Sequence, residues 1–127
     1  MKKFLCLIFL VLICGCSNSE IDKNGVSVLM IDTKTVYSEI NNDNVYIIDV
    51  REKHEYNSGH IQNAHNIPLS EIGNINKKMI SFDSKIIVYC HSGNRSNKAA
   101  EMLLEMGYTN IYDMGGITSW EYELIKN

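Results

Sequence analysis

Two short apolar runs constrain this chain most. Val45 to Val50 is apolar throughout except for Asp49, and Ile86 to Tyr89 is apolar without a break. Such continuous runs are the signature of strands buried on both faces of a parallel sheet. Three further segments, Val28 to Ile31, Ala64 to Ile67 and Ile111 to Met114, read as strands, with Pro68 ending the second of these. Helical patterns lie between them. Thr33 is read as the cap of a helix running to about Asn41, with Val36, Tyr37 and Ile40 on one face. Glu52 to Asn57 reads as a short helix stopped by Gly59. Ser70 caps a second helical stretch to about Met79, weakened by Gly73. Ser96 to Met106 is amphipathic, with Ala99, Ala100, Leu103, Leu104 and Met106 apolar and Gly107 as its stop. Gly115-Gly116 then turn into a final helix through Ile117, Trp120 and Leu124. Strands alternating with helices predict an α/β fold: a central, mostly parallel, five-stranded sheet with right-handed crossovers and helices on both faces. Sites in such sheets lie beyond the carboxyl ends of the strands.

The N-terminus reads differently. Lys2 and Lys3 precede an unbroken apolar run from Phe4 to Ile13. That run is about half as long as the hydrocarbon core of a bilayer is thick, which suits the apolar region of a secretory leader and not a spanning helix. Its end, Leu12-Ile13-Cys14-Gly15-Cys16, resembles the lipobox of bacterial lipoproteins, in which a small residue precedes the lipidated cysteine. Gly15 before Cys16 fits; Ile13 before Cys14 does not. The predicted organisation is therefore a signal peptide over 1–15, a polar tether over 16–27 beginning at lipidated Cys16, and a single domain over 28–127. Multiple acyl chains on Cys16 would give lasting attachment, so the expected location is exported and anchored to the cell envelope through the membrane.

The four cysteines then sort themselves. Cys6 and Cys14 leave with the leader, Cys16 carries lipid, and Cys90 remains as the lone thiol, with no disulfide framework around it. A net charge of -3 argues against a nucleic-acid surface, which needs clustered Lys and Arg.

Cys90 directly follows the apolar run Ile86 to Tyr89 and opens the loop His91-Ser92-Gly93-Asn94-Arg95-Ser96 before a helix. A helix N-terminus has four unpaired N–H groups and a partial positive charge. A thiolate facing it is stabilised by up to about 2 kcal/mol in a favourable, partly buried site. Gly93 lets the loop curl so that successive amides form an anion-binding nest.

At this point the sequence resembles the rhodanese family. Cys90, Gly93, Arg95 and Ser96 form the pattern Cys-x-x-Gly-x-Arg-Ser of that family's active-site loop. Asp49-Val50-Arg51 resembles its early Asp-x-Arg motif. Glu55, Gly59-His60-Ile61, Ala64 and Asn66-Ile67-Pro68 resemble its second motif. Gly107-Tyr108, Asn110-Ile111, Met114-Gly115-Gly116-Ile117 and Trp120 resemble its closing segment. The resemblance implies a rhodanese-like fold and sulfane-sulfur transfer through a persulfide on catalytic Cys90. It also implies substrate-anion binding by Arg95 and amide cradling by His91, Ser92, Gly93, Asn94 and Ser96. The partners implied are a small-molecule sulfur donor and a thiol or cyanide acceptor, with the chain a monomer and without metal or organic cofactor.

Blander readings apply to the other polar residues. Asp49, Arg51 and Glu55 read as structural, since a charge at the end of a buried strand needs a partner. His60 reads as a backbone cap in its turn and Trp120 as core. His54, His60 and His65 lack helical ligand spacing and do not make a zinc site. Two rival functions remain open. Phosphatases and arsenate reductases also use a Cys…Arg loop after a strand. Tyrosine phosphatases place five residues between Cys and Arg, whereas here there are four, His91 to Asn94, which makes a tighter cradle. A sulfur carrier or docking module would instead form a persulfide without multiple turnover.

Overall fold

The computed structural model describes residues 25–78 and 80–127. The expected signal peptide, nearly all of the expected tether, Cys16 and Met79 lie outside the described residues.

Five strands, β1 (Leu29–Met30), β2 (Val45–Asp49), β3 (His65–Asn66), β4 (Lys85–Cys90) and β5 (Ile111–Gly116), form one sheet in the order β1-β5-β4-β2-β3. Every neighbouring pair is parallel. The two continuous apolar runs, β2 and β4, lie at the centre, where both faces need cover. Strand periodicity divides their side chains. Ile48, Val50, Ile86, Val88 and Cys90 share one core, with Ile72, Ile75, Ala99, Ala100 and Leu103. Ile47, Ile87 and Tyr89 face the other, with Val36, Ile61 and Met114. Helix α3 (Asn94–Glu105) covers the first face and α1 (Thr33–Glu39) the second. A short helix, α2 (Lys53–Ser58), follows β2.

Several boundaries differ from expectation, each for a local reason. Asp32, not Thr33, caps α1, its Oδ1 accepting from Thr35 N–H at 2.7 Å. The stretch read as a helix from Ser70 is a 3₁₀ helix over Leu69–Lys78. Leu69, Ile72 and Ile75 recur every third residue, which puts them on one edge of a helix with three residues per turn. Ile72 and Ile75 are fully buried there. The predicted final helix shrinks to a single 3₁₀ turn, Ile117–Ser119. Beyond it the tail is held extended by a reciprocal pair of backbone bonds between His60 and Ile125, both 2.9 Å, which a helix would break. Trp120 is half-buried and meets Tyr122 and Tyr37 with ring centroids 5.0 and 6.1 Å away, so it borders the core and does not sit within it. Val26, read as tether, already packs against the first core.

Candidate active site

Cys90 is the last residue of β4 and pairs with Gly116 of β5, one position earlier than a residue following the strand. Because side chains alternate along a strand, Cys90 continues the face of Ile86 and Val88 and points to the α3 side of the sheet. The chain then turns through His91 and Ser92 to Gly93, the N-cap of α3, whose φ of +106° is open to glycine and strained for other residues. That turn brings the Gly93 N–H to the sulfur, 3.0 Å from Cys90 Sγ. Cys90 is 1% exposed, so the sulfur forms the floor of the loop, and exposed His91, Ser92 and Asn94 form its rim.

A second turn supports the first. A Cβ on Gly116 would lie 2.4 Å from the His91 carbonyl oxygen and 2.9 Å from Ser92 Cα, so only glycine permits this approach. Ser96 is fully buried; its hydroxyl donates to the Gly93 carbonyl at 3.0 Å and lies 3.4 Å from that of Gly115. Asp113 sits beneath both turns and accepts from Gly115 N–H at 2.8 Å. Burial pushes the Asp113 carboxyl up, against the bonds from Ser96 and Gly115 that pull it down.

Arg95 lies in the first turn of α3, five residues after Cys90. Its guanidinium is engaged by a carboxylate of the protein itself. Nη1 donates to Glu55 Oε2 at 2.7 Å and Nη2 to Oε1 at 2.9 Å. Glu55 Oε2 also accepts the Glu52 N–H at 2.9 Å, completing the capping box of α2. Bonding to Arg95 holds the Glu55 carboxyl down at about 2, and bonding to Glu55 raises the Arg95 guanidinium.

Asp49 and Arg51 form a different pair. Arg51 Nη2 reaches Asp49 Oδ2 at 2.6 Å and the Gly59 carbonyl at 2.7 Å, with both side chains almost wholly buried. The pair ties the end of β2 to the end of α2. The Tyr89 hydroxyl accepts Ile61 N–H at 3.1 Å and braces the segment that follows α2. His60 is buried, stacks on Tyr56 at 3.7 Å, and its Nδ1 lies 2.9 Å from the Tyr56 carbonyl. His54 and His65 are exposed elsewhere. Among the described residues, no group of three or more His, Cys, Asp and Glu side chains is placed to hold a metal ion. A groove of about 530 Å³ opens beside Glu52, Lys53, Asn66, Glu71 and Asn127.

The structure thus brings Cys90, His91, Ser92, Gly93, Asn94, Arg95 and Ser96 together in one turn and keeps Asp49, Arg51 and His60 in the scaffold beside it. Sequence reasoning missed two partners. Glu55 meets Arg95 across 40 residues, and nothing local in the chain marks that pairing. Asp113 is a carboxylate in an otherwise apolar strand, the same signal that marked Asp49 in β2.

Over residues 32–123 the chain matches the Rhodanese-like domain family. The Bacillus subtilis protein YqhL is 43% identical over 75 residues, which cover 58% of this chain and 59% of that protein. The Escherichia coli thiosulfate sulfurtransferase PspE is 41% identical over 71 residues, covering 55% of this chain and 68% of that enzyme. The match therefore spans less than two thirds of YqhL. A solved structure described as a rhodanese with anions from E. coli superposes with a TM-score of 0.61 at 36% identity, over 65% of this chain and 99% of that one. The chain therefore belongs to the rhodanese-like family, which includes thiosulfate sulfurtransferases.

Proposed function

We propose that this protein is a sulfurtransferase that moves sulfane sulfur from thiosulfate or a persulfide to a thiol or cyanide through a persulfide on Cys90. The observation that carries this reading is the 3.0 Å bond from the Gly93 amide to Cys90 Sγ at the mouth of α3, beside Arg95. The thiolate is the nucleophile in such transfers, and the Gly93 N–H offers its sulfur a hydrogen bond.

With thiosulfate, the Cys90 thiolate attacks the outer sulfur. The new S–S bond forms as the old one breaks, and sulfite departs with the electron pair. The persulfide anion inherits the cradle of amides from His91 to Ser96. An acceptor thiolate or cyanide then attacks the outer sulfur, carries it away, and returns Cys90 to thiolate. Splitting the transfer in two replaces one hard step by two easier ones. Arg95 meets the oxyanion of the donor. Because Cys90 is 1% exposed, the donor enters past the rim of His91, Ser92 and Asn94.

Measuring thiocyanate production from thiosulfate and cyanide beside hydrolysis of p-nitrophenyl phosphate tests the assignment. Thiocyanate formed over many turnovers, lost in Cys90→Ser, supports it. Phosphate release without thiocyanate would make the chain a phosphatase, and a persulfide formed once without turnover would make it a carrier.

The resemblance of residues 12–16 to a lipobox supports a second part of the proposal: the chain is exported and anchored to the cell envelope by lipid on Cys16, and acts there as a monomer. Incorporation of labelled fatty acid that disappears in Cys16→Ser checks the anchor. Sedimentation of the detergent-solubilised chain checks the monomer.

A further inference from the structure

The arginine of the reactive loop has its anion already. Arg95 carries five N–H donors, and Glu55 holds one on each terminal nitrogen, at 2.7 and 2.9 Å. The pair is one-quarter to one-third exposed, so it sits at the edge of the site and within reach of solvent. Glu52 adds a second negative charge that acts on the same guanidinium. Arg51 offers no replacement, because Asp49 holds it in the interior. An incoming dianion must therefore displace Glu55 or take the remaining donors with two carboxylates close by. A donor whose sulfur end carries at most one negative charge meets a smaller barrier. It needs only the loop amides.

We propose that Glu55 is a specificity-determining residue that sets this site against small dianionic donors such as thiosulfate and toward low-molecular-weight alkyl persulfides. The inference rests on the sulfurtransferase reading above and names its donor class. The step balances without a further reactant. The Cys90 thiolate attacks the outer sulfur of R–S–SH, a new S–S bond forms as the old one breaks, and R–S⁻ leaves with the electron pair, giving Cys90–S–SH.

Glu55→Gln separates charge from scaffold. Glutamine serves the capping box as glutamate does, so α2 keeps its start while the negative charge is removed. The experiment compares the full wild-type chain with this variant, using thiosulfate and glutathione persulfide as donors and cyanide as acceptor. Sulfate binding by calorimetry serves as a readout independent of turnover. Removing a full charge a few ångströms from a bound dianion is expected to lower the KM for thiosulfate about tenfold and to tighten sulfate binding similarly. The kcat with thiosulfate is expected to stay within about twofold, and the KM for glutathione persulfide to shift about threefold at most, because one charge at its sulfur end feels less of the removed repulsion than two. An unchanged or raised KM for thiosulfate, equal shifts with both donors, or unchanged sulfate affinity would overturn the proposal. If neither protein transfers sulfur from either donor, the sulfurtransferase reading fails. The sulfate affinities then still decide whether Glu55 discriminates against dianions.

Discussion

Two arginine–carboxylate pairs flank the same loop, and they do opposite jobs. Asp49–Arg51 spans two residues of chain, is 0% and 7% exposed at its side chains, and also holds the Gly59 carbonyl. Glu55–Arg95 spans 40 residues and is 24% and 32% exposed. The chemistry of each pair is the same fork on a carboxylate. Burial makes the difference. Opening the first pair strands a charge in the interior, so it is scaffold. Opening the second exchanges one anion for another at the edge of solvent, so its arginine remains available to substrate. Residue type alone does not separate a site arginine from a structural one; its surroundings do.

The largest effect should come from breaking the buried pair. Asp49→Ala leaves Arg51 unpaired and is expected to destabilise the domain by about 3–5 kcal/mol, read from the urea midpoint. A cost below about 1 kcal/mol would make that pair equivalent to the exposed one. Next in size, Gly116→Ala forces a Cβ against the His91 carbonyl and should cost about 1–3 kcal/mol while displacing the loop. Transfer activity should fall further than stability. Activity that survives intact would show that the loop tolerates movement.

Removing the exposed cation inverts the pattern. Arg95→Ala should cost no more than about 1 kcal/mol in stability, yet weaken thiosulfate use by tenfold or more. Wild-type kinetics in that variant would remove Arg95 from the site. The smallest effect is the pH dependence of the exposed pair. Bonding to Arg95 depresses Glu55 from 4.5 in the reference state to about 2. Its contribution is therefore complete above about 4.5 and lost as the pH falls through about 2. Thermal melts of wild type and Glu55→Gln should differ by a constant amount from neutral pH down to about 5, then converge in stronger acid. A difference that changes between neutrality and pH 5 would contradict the pairing.

Much of this was readable in the chain before any coordinates. Ile86 to Tyr89 and Val45 to Ile48 declare central strands, because only a doubly covered strand is apolar at every position. The amphipathic face of α3 and its stop at Gly107 are local and therefore visible. So was the reactive loop, since its cysteine, glycine and arginine fall within six residues. What stayed hidden depends on distant contacts. The extended tail after Trp120 is set by backbone bonds to His60, which no helical pattern reports. The 3₁₀ helix is hidden only in part, since Ser70 to about Met79 reads as helical and the repeat by three of Leu69, Ile72 and Ile75 is in the chain. Glu55 was read as structural, without its partner, because a charge pair across 40 residues leaves no mark on either segment.

The most direct test of the account is the mass of the intact domain after brief exposure to thiosulfate or glutathione persulfide. A gain of one sulfur atom is expected, located on Cys90 by fragmentation, removed by cyanide and missing in Cys90→Ser. No gain with either donor, or sulfur on another residue, would contradict it.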